Sequence, residues 1–241
     1  MANTRGERSQ SIIGVLKKAY PRAKIVLRYR TPWELLVSVI LSAQCTDVMV
    51  NKVTEKLFAK YKTLDEYVTA DLEQFEKDIK STGFYHNKAK NILAAAKLIK
   101  ETFGGTVPRT MEELLTLPGV ARKTANVVLG NAYGVVEGIA VDTHVLRLSQ
   151  RLRLVDLEKI GGKKEITFQR LTTGSHTVTL IDYKKDADPV KIERELMGVI
   201  PKKDWFITTY LLIDHGRAVC KAQKPDCGHC VLSQLCPASR I

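Results

Sequence analysis

Four cysteines near the C-terminus constrain this chain more than any other feature of its sequence. They follow the spacing Cys220-x6-Cys227-x2-Cys230-x5-Cys236, so that four of the five cysteines in 241 residues lie in one short segment. A segment this short has no core of its own that the thiols could fill. The cysteines therefore predict either disulfides or a bound metal centre.

The choice among these depends on the redox compartment and on the spacing. Residues 1–30 lack the uninterrupted apolar run of a signal peptide, because Lys17 and Lys18 break it; this predicts a reducing compartment and disfavours disulfides. A four-cysteine zinc site is the main rival, although zinc ribbons usually contribute two Cys-x2-Cys pairs and this segment has one. Unequal gaps along one loop favour an iron–sulfur cluster over zinc. The fifth thiol, Cys45, is expected to be a buried small hydrophobic residue.

The charge composition indicates the kind of partner. The chain has 38 Lys and Arg against 26 Asp and Glu, for a formal net charge of +12. Such a chain attracts polyanions, nucleic acids among them, although basic faces are often only solvated. A hydrophobic content of 44% is ample for a packed core. No apolar run approaches the ~20 residues that a membrane span needs.

Start and stop signals predict a predominantly helical chain. Capping residues mark helix starts at Thr31, Asp71 and Asp188, and a further helix is predicted over residues 88–102, followed by two glycines. Residues 166–183 differ, because two runs rich in β-branched and aromatic residues flank a turn-like spacer. This pattern predicts a β-hairpin.

A second chemical signal lies mid-chain. Residues 110–116 predict a short helix, and residues 122–129 predict another. The tight turn over Gly119, Val120 and Ala121 leaves the first N–H groups of the second helix pointing outward, where a phosphate binds favourably. The segment is either a helix-hairpin-helix that binds phosphate or an ordinary two-helix corner.

Two side chains near this turn are candidates for catalysis. Lys123 lies in the first turn of the second helix beside Arg122, where the helix dipole and the guanidinium are expected to lower its pKa and favour the nucleophilic free amine. A phosphate contact, which needs no such shift, is the alternative role. Asp142 ends an apolar run and precedes the helical residues 145–152. It is expected either to cap that helix or to assist Lys123 by stabilising positive charge and transferring protons.

In their order and separation, these segments resemble the endonuclease III family of DNA glycosylases, within the helix-hairpin-helix, Gly-Pro-Asp superfamily. The resemblance covers nearly the whole chain. The segments that carry it are 41–47 (LSAQCTD), 83–88 (GFYHNK), 117–126 (LPGVARKTAN), 141–144 (VDTH) and the cysteine segment 220–236.

The resemblance implies an all-α fold of two helical domains, with the active site in the cleft between them. One domain is a six-helix barrel over residues 25–135 that contains the helix-hairpin-helix. The other joins residues 1–24 to residues 136–241 and holds the iron–sulfur cluster. The β-hairpin of residues 166–183 lengthens a segment that is usually short in relatives. We expect it to be a surface insertion on the cluster domain whose deletion spares base excision.

The resemblance also implies a bifunctional enzyme of base excision repair. Such an enzyme removes oxidised pyrimidines from duplex DNA through a lysine Schiff base and then cuts the abasic strand by β-elimination. Lys123 matches the family's nucleophile and Asp142 its catalytic aspartate. Cys220, Cys227, Cys230 and Cys236 match the ligands of a 4Fe-4S cluster. The alternatives are a monofunctional adenine-type glycosylase, which typically lacks the lysine, and a non-enzymatic iron–sulfur DNA-binding protein.

The implied partner is double-stranded DNA with damaged pyrimidines or abasic sites, bound by a monomer that is cytoplasmic and nucleoid-associated, with no membrane contact. Gln44 matches the residue that fills the gap left by the flipped nucleotide, and Phe84 stands where relatives often have a leucine wedge. Ala121 replaces a glycine of many relatives, which costs stability only if this position requires a positive φ. The residues expected to contact DNA are Gln44, Phe84, Gly119, Val120, Ala121, Arg122, Lys221 and Lys224.

Overall fold

The computed structural model of the protein describes residues 4–171 and 177–241. The chain splits into two compact units, the central unit (Ile25–Glu137) and the terminal unit (Met1–Lys24 with Gly138–Ile241). In chain order the elements are α1 (Arg5–Ala19), α2 (Pro32–Leu41), α3 (Asp47–Lys60), α4 (Leu64–Val68), α5 (Leu72–Ile79), α6 (Tyr85–Thr102), α7 (Met111–Thr116), α8 (Arg122–Val128), α9 (Thr143–Arg151), β1 (Glu165–Leu171), β2 (Thr177–Lys184), α10 (Pro189–Val199) and α11 (Trp205–Ala218).

The fold class agrees with the sequence. Helices dominate, and the two strands form one antiparallel sheet, which confirms the predicted helical fold with a small β-hairpin. Seven α-helical segments, α2 to α8, lie in the described central unit, and α4 is the shortest of them with five residues. None of the described helices has the length and apolar content needed to cross a membrane.

Helix starts follow the capping residues that the sequence predicts. Thr31 Oγ1 accepts a hydrogen bond from Glu34 N at 3.1 Å, and Asp71 Oδ1 accepts one from Gln74 N at 2.8 Å. These oxygens satisfy amide groups that the first turn of a helix leaves unpaired. They therefore fix the starts of α2 and α5.

Helix α6 begins three residues earlier than the sequence predicts, at Tyr85 rather than Lys88. The preceding residue, Phe84, has a left-handed backbone with φ 49° and provides no side-chain cap. The sequence therefore has no polar start signal at this point. At the other end, Gly104 and Gly105 adopt positive φ angles and stop the helix as predicted.

The central unit has its own hydrophobic core. Helix α2 buries residues on all sides and packs against α3, α6 and α8. Next to it, Trp33, Tyr61, Tyr67 and Phe75 form an aromatic cluster with ring centroids 5.1–5.8 Å apart. A helix that is apolar all round belongs at the centre of a helical unit, and the other helices surround it.

The terminal unit joins the N-terminal helix to the C-terminal part of the chain. Helix α1 packs on α10 and α11. Lys17 Nζ donates to Asp204 Oδ1 at 2.6 Å, and Ser9 Oγ donates to the carbonyl of Val199 at 2.6 Å. These contacts connect segments that lie almost 200 residues apart in the sequence.

The β-hairpin lies in the terminal unit, and its strands extend one residue beyond each end of the predicted range of residues 166–183. Strands β1 and β2 pair in antiparallel register from Glu165 opposite Lys184 to Leu171 opposite Thr177. The spacer of residues 172–176 lies outside the described residues. The side chain of Phe168, on β1, is buried. One face of the hairpin is therefore part of the unit's core.

Candidate active site and cysteine centre

A tight turn joins α7 to α8 and forms the predicted hairpin of helices. Val120 N donates to the carbonyl of Leu117 at 3.1 Å, which closes the turn. Gly119 has φ +79°, and a Cβ at this position would lie 2.9 Å from Asn91 Cβ. Ala121 has φ −105° and ψ 171°, an extended conformation that any residue adopts. Alanine in place of glycine at position 121 therefore costs no backbone strain.

Lys123 is the second residue of α8 and is half-buried. The N-cap of this helix, Ala121, has no side-chain oxygen to satisfy the first amide groups of α8. Those amides and the positive end of the helix dipole favour an anion at this end of the helix. The sequence prediction that Lys123 lies in the first turn is confirmed.

Asp142 is the N-cap of α9, in the terminal unit. Its Oδ1 accepts hydrogen bonds from His144 N and from Val145 N, both at 2.8 Å. Among the described residues, the other carboxylate oxygen, Oδ2, accepts no hydrogen bond. The cap thus fixes the carboxylate through one of its two oxygens.

Two exposed residues of the central unit share an unusual backbone. Gln44 has φ 51° and Phe84 has φ 49°, and the Phe84 side chain is 65% exposed. Lys88 lies between their turns, because its Nζ donates to the carbonyl of Leu41 at 2.8 Å and to that of Thr82 at 2.7 Å. Burial lowers the pKa of Lys88. No pattern in the sequence indicated this link between the two turns.

The four cysteines of the C-terminal segment follow α11 and face one cavity. All are free thiols, so none of them forms a disulfide. Burial raises the pKa of the Cys230 thiol, and it raises the pKa of Cys236 to about 12. His215 also lines the cavity, and burial lowers its pKa to about 4. A metal centre that binds here displaces thiol protons.

The four thiols are arranged as the ligands of one metal centre would be, because all of them line the same cavity. An iron–sulfur cluster with four iron atoms takes one cysteine sulfur for each of them. Four free thiols around one cavity fit such a centre.

Cys45 and the two lysines of the cysteine segment can be compared with their predicted environments. The expectation for Cys45 is wrong, since it lies beyond the end of α2 and is only half-buried. Lys221 and Lys224 lie between the first two cysteines and are exposed. Their ammonium groups are therefore accessible to a polyanion.

Two buried arginines connect α9 to the cysteine segment, and neither was predicted from the sequence. Arg147 Nη2 donates to the carbonyl of Cys220 at 3.0 Å, and Arg151 Nη1 donates to Cys220 Sγ at 3.3 Å. The spacing of Arg151 along α9 could have indicated its burial, because it recurs at helical spacing with the apolar residues Val145 and Leu148. A charged residue on the apolar face of a helix requires a buried partner.

Comparison with protein families agrees with this organisation. Residues 37–172 match the model of the HhH-GPD superfamily base excision DNA repair protein. Residues 220–236, which begin and end at cysteines, match the model of the iron-sulfur binding domain of endonuclease III.

Individual relatives match over nearly the full chain. Endonuclease III of Synechocystis sp. is 49% identical, with 97% of this chain and 94% of the relative covered. Endonuclease III of Bacillus subtilis is 45% identical, with coverages of 90% and 86%. Among solved structures, a trapped endonuclease III–DNA covalent intermediate superposes with a TM-score of 0.82 at 40% identity, covering 97% of this chain and 96% of that one.

Proposed function

The chain belongs to the endonuclease III family of base excision repair enzymes, and we propose that Lys123 is the nucleophile of its DNA glycosylase and abasic-site lyase reactions. One observation carries the assignment. Lys123 follows directly on the hairpin turn, at the start of a helix that has no side-chain cap. The match to a covalent endonuclease III–DNA intermediate supports it, because such an intermediate requires a nucleophile.

In the proposed reaction, the neutral amine of Lys123 attacks C1′ of a nucleotide that has been flipped out of the duplex. The base leaves as the C1′–N bond breaks, and a Schiff base forms between the lysine and the opened sugar. The Schiff base acidifies the C2′ proton. Removal of that proton expels the 3′ phosphate by β-elimination, and hydrolysis then releases the lysine.

We assign to Asp142 the stabilisation of positive charge on the sugar and the transfer of protons. Its Oδ1 is occupied by two amide hydrogen bonds, which hold the carboxylate in one orientation. We assign the chemistry to its Oδ2, which takes no part in the cap. A carboxylate held in this way stabilises a developing cation without reorganising during the reaction.

The proposed substrate is duplex DNA that contains oxidised pyrimidines or abasic sites, and excision from a panel of singly damaged duplexes tests this class. Gln44 and Phe84 are exposed on strained turns, which suits insertion into the gap that the flipped nucleotide leaves. The other proposed contacts bind the DNA backbone through amides or positive charges. These residues are Gly119, Val120, Ala121, Arg122, Lys221 and Lys224.

The cofactor is a 4Fe-4S cluster. We propose that Cys220, Cys227, Cys230 and Cys236 each bind one iron atom. When bound, the cluster supplies no glycosylase chemistry and holds the loop with Lys221 in place. The free thiols and their common cavity support this ligand set.

Borohydride trapping on abasic duplex DNA tests the nucleophile. Reduction of the Schiff base links the wild-type enzyme to DNA covalently. Because K123Q lacks the proposed nucleophile, we expect its yield of this covalent product to be at least about 100-fold lower than that of the wild type. K97Q serves as the control, since Lys97 is an exposed lysine of α6. K97Q should be trapped like the wild type.

The same assay distinguishes the proposed function from its two rivals. A monofunctional adenine-type glycosylase or a non-enzymatic iron–sulfur protein forms no Schiff base and is trapped inefficiently. Efficient trapping of K123Q would show that another amine is the nucleophile. Absence of trapping in the folded wild type would remove the lyase function altogether.

A further inference from the structure

The β-hairpin carries a buried carboxylate that pairs with helix α9. Asp182 of β2 is 0% exposed and Arg151 is 2% exposed. Arg151 Nε donates to Asp182 Oδ1 at 2.8 Å, and its Nη2 donates to Oδ2 at 2.6 Å. Arg240 Nη2 donates a third hydrogen bond to this carboxylate, to Oδ2 at 3.2 Å. Because either charge alone is very unfavourable in the interior, Arg151 depends on the hairpin for its partner.

The remaining N–H groups of Arg151 hold the start of the cysteine segment. Its Nη1 donates to Cys220 Sγ at 3.3 Å and to the carbonyl of Lys221 at 2.7 Å, while its Nη2 donates to the carbonyl of Ala222 at 2.7 Å. A guanidinium has five N–H donors, and all five are used here. The planar fork cannot rotate without breaking several of these bonds, so Asp182 fixes the direction of the bond to the sulfur.

Other contacts connect the hairpin to the same region. Lys184 N donates to Gln150 Oε1 at 2.7 Å, and Gln150 Nε2 donates back to the carbonyl of Lys184 at 3.1 Å, which joins β2 to α9. Arg170 Nη1 of β1 donates to the carbonyl of Pro237 at 3.2 Å. Pro237 directly follows Cys236. The hairpin is therefore in contact with both ends of the cysteine segment, one of them through Arg151.

We propose that the hairpin is a positioning element for the iron–sulfur centre, in which Asp182 orients Arg151 so that it donates a hydrogen bond to the sulfur of Cys220. The proposal rests on the proposed role of Cys220 as an iron ligand. Outer-shell hydrogen bonds to ligating sulfur atoms retain the metal centre and raise its reduction potential. Most described residues of the hairpin are exposed or half-buried, as expected of a surface insertion, but Asp182 is completely buried.

Iron release from the purified holoprotein to a chelator, followed by visible absorption, tests the proposal. We expect D182N to release iron roughly tenfold faster than the wild type, the usual size of an outer-shell effect. E165Q is the matched control, since Glu165 lies on β1 with a side chain that is 41% exposed, and its change removes the same charge. E165Q should release iron at the wild-type rate.

A second variant separates cluster retention from folding. The double variant D182L/R151M removes both buried charges together, a change that is less destabilising than the loss of one partner alone. We expect this double variant to keep its thermal unfolding midpoint near that of the wild type, to release iron faster and to have a lower reduction potential. The net charge is unchanged, so the lower potential reports the lost hydrogen bond.

Wild-type iron release and potential in the folded double variant would overturn the proposal. A wild-type protein that contains no stoichiometric iron would instead overturn the assignment of the cysteines. The two failures are therefore distinguished by the iron content of the wild type.

Discussion

Gly119 is required at the hairpin turn for two separate reasons. Its φ of +79° disfavours any residue with a Cβ, and that Cβ would lie 2.9 Å from Asn91 Cβ. Because the contact is to a Cβ next to the backbone rather than to a flexible end, the turn itself must move. We expect G119A to lower the free energy of unfolding by about 2 kcal/mol, measured by urea denaturation.

Ala121 provides the matched control two residues later. Its extended backbone has φ −105°, so A121G should change the unfolding free energy by less than about 0.5 kcal/mol. A similar loss of stability in both variants would contradict the distinction between the two positions. It would mean that the turn responds to side-chain volume in general.

At the scale of elements, helix α9 combines a structural cap with the proposed catalytic group. D142N keeps an acceptor for the amides of His144 and Val145, whereas D142A removes it. We expect D142A to cost about 1 kcal/mol of stability and D142N only a fraction of that. Both should slow base excision at least about 100-fold, measured by single-turnover kinetics.

Asp188 is the corresponding control, because its Oδ1 caps α10 by accepting from Val190 N at 2.8 Å and from Lys191 N at 3.4 Å. D188A should lose a similar amount of stability and keep its excision rate. If D142N excised damaged bases at the wild-type rate, Asp142 would be a cap and nothing more.

The elements differ in how far the sequence predicts them. Helices with a polar cap, such as those after Thr31 and Asp71, begin where expected, because capping is a local interaction. Helix α6 begins early since Phe84 supplies no such signal. The hairpin strands were predicted from β-branched residues, but the partner of Asp182 was not. That pair joins elements 31 residues apart, and local patterns contain no information about it.

At the scale of the whole molecule, the terminal unit depends on contacts that span the sequence. Tyr20, just after α1, contacts His215 Nδ1 through its hydroxyl at 3.0 Å, and His215 Nε2 lies 3.5 Å from Cys230 Sγ. The N-terminal helix is thereby connected to the cysteine centre through one buried histidine. The central unit has a separate core around Tyr67 and Phe75. Stability should therefore be distributed unequally between the two units.

Removal of the cluster tests this division by hydrogen exchange with mass spectrometry. Without the cluster, the four thiols around the cavity lose the bonds to iron that hold them together. Because a structural metal centre contributes directly to folding, this loss should destabilise the terminal unit. We expect the apoprotein to exchange faster in residues 5–19, 205–218 and 220–236 together, by at least about tenfold, while α2–α8 keep their protection. The holoprotein incubated without chelator is the control. An equal increase in all helices would mean that both units unfold as one, and unchanged exchange in α1 would mean that the histidine contact does not couple it to the centre.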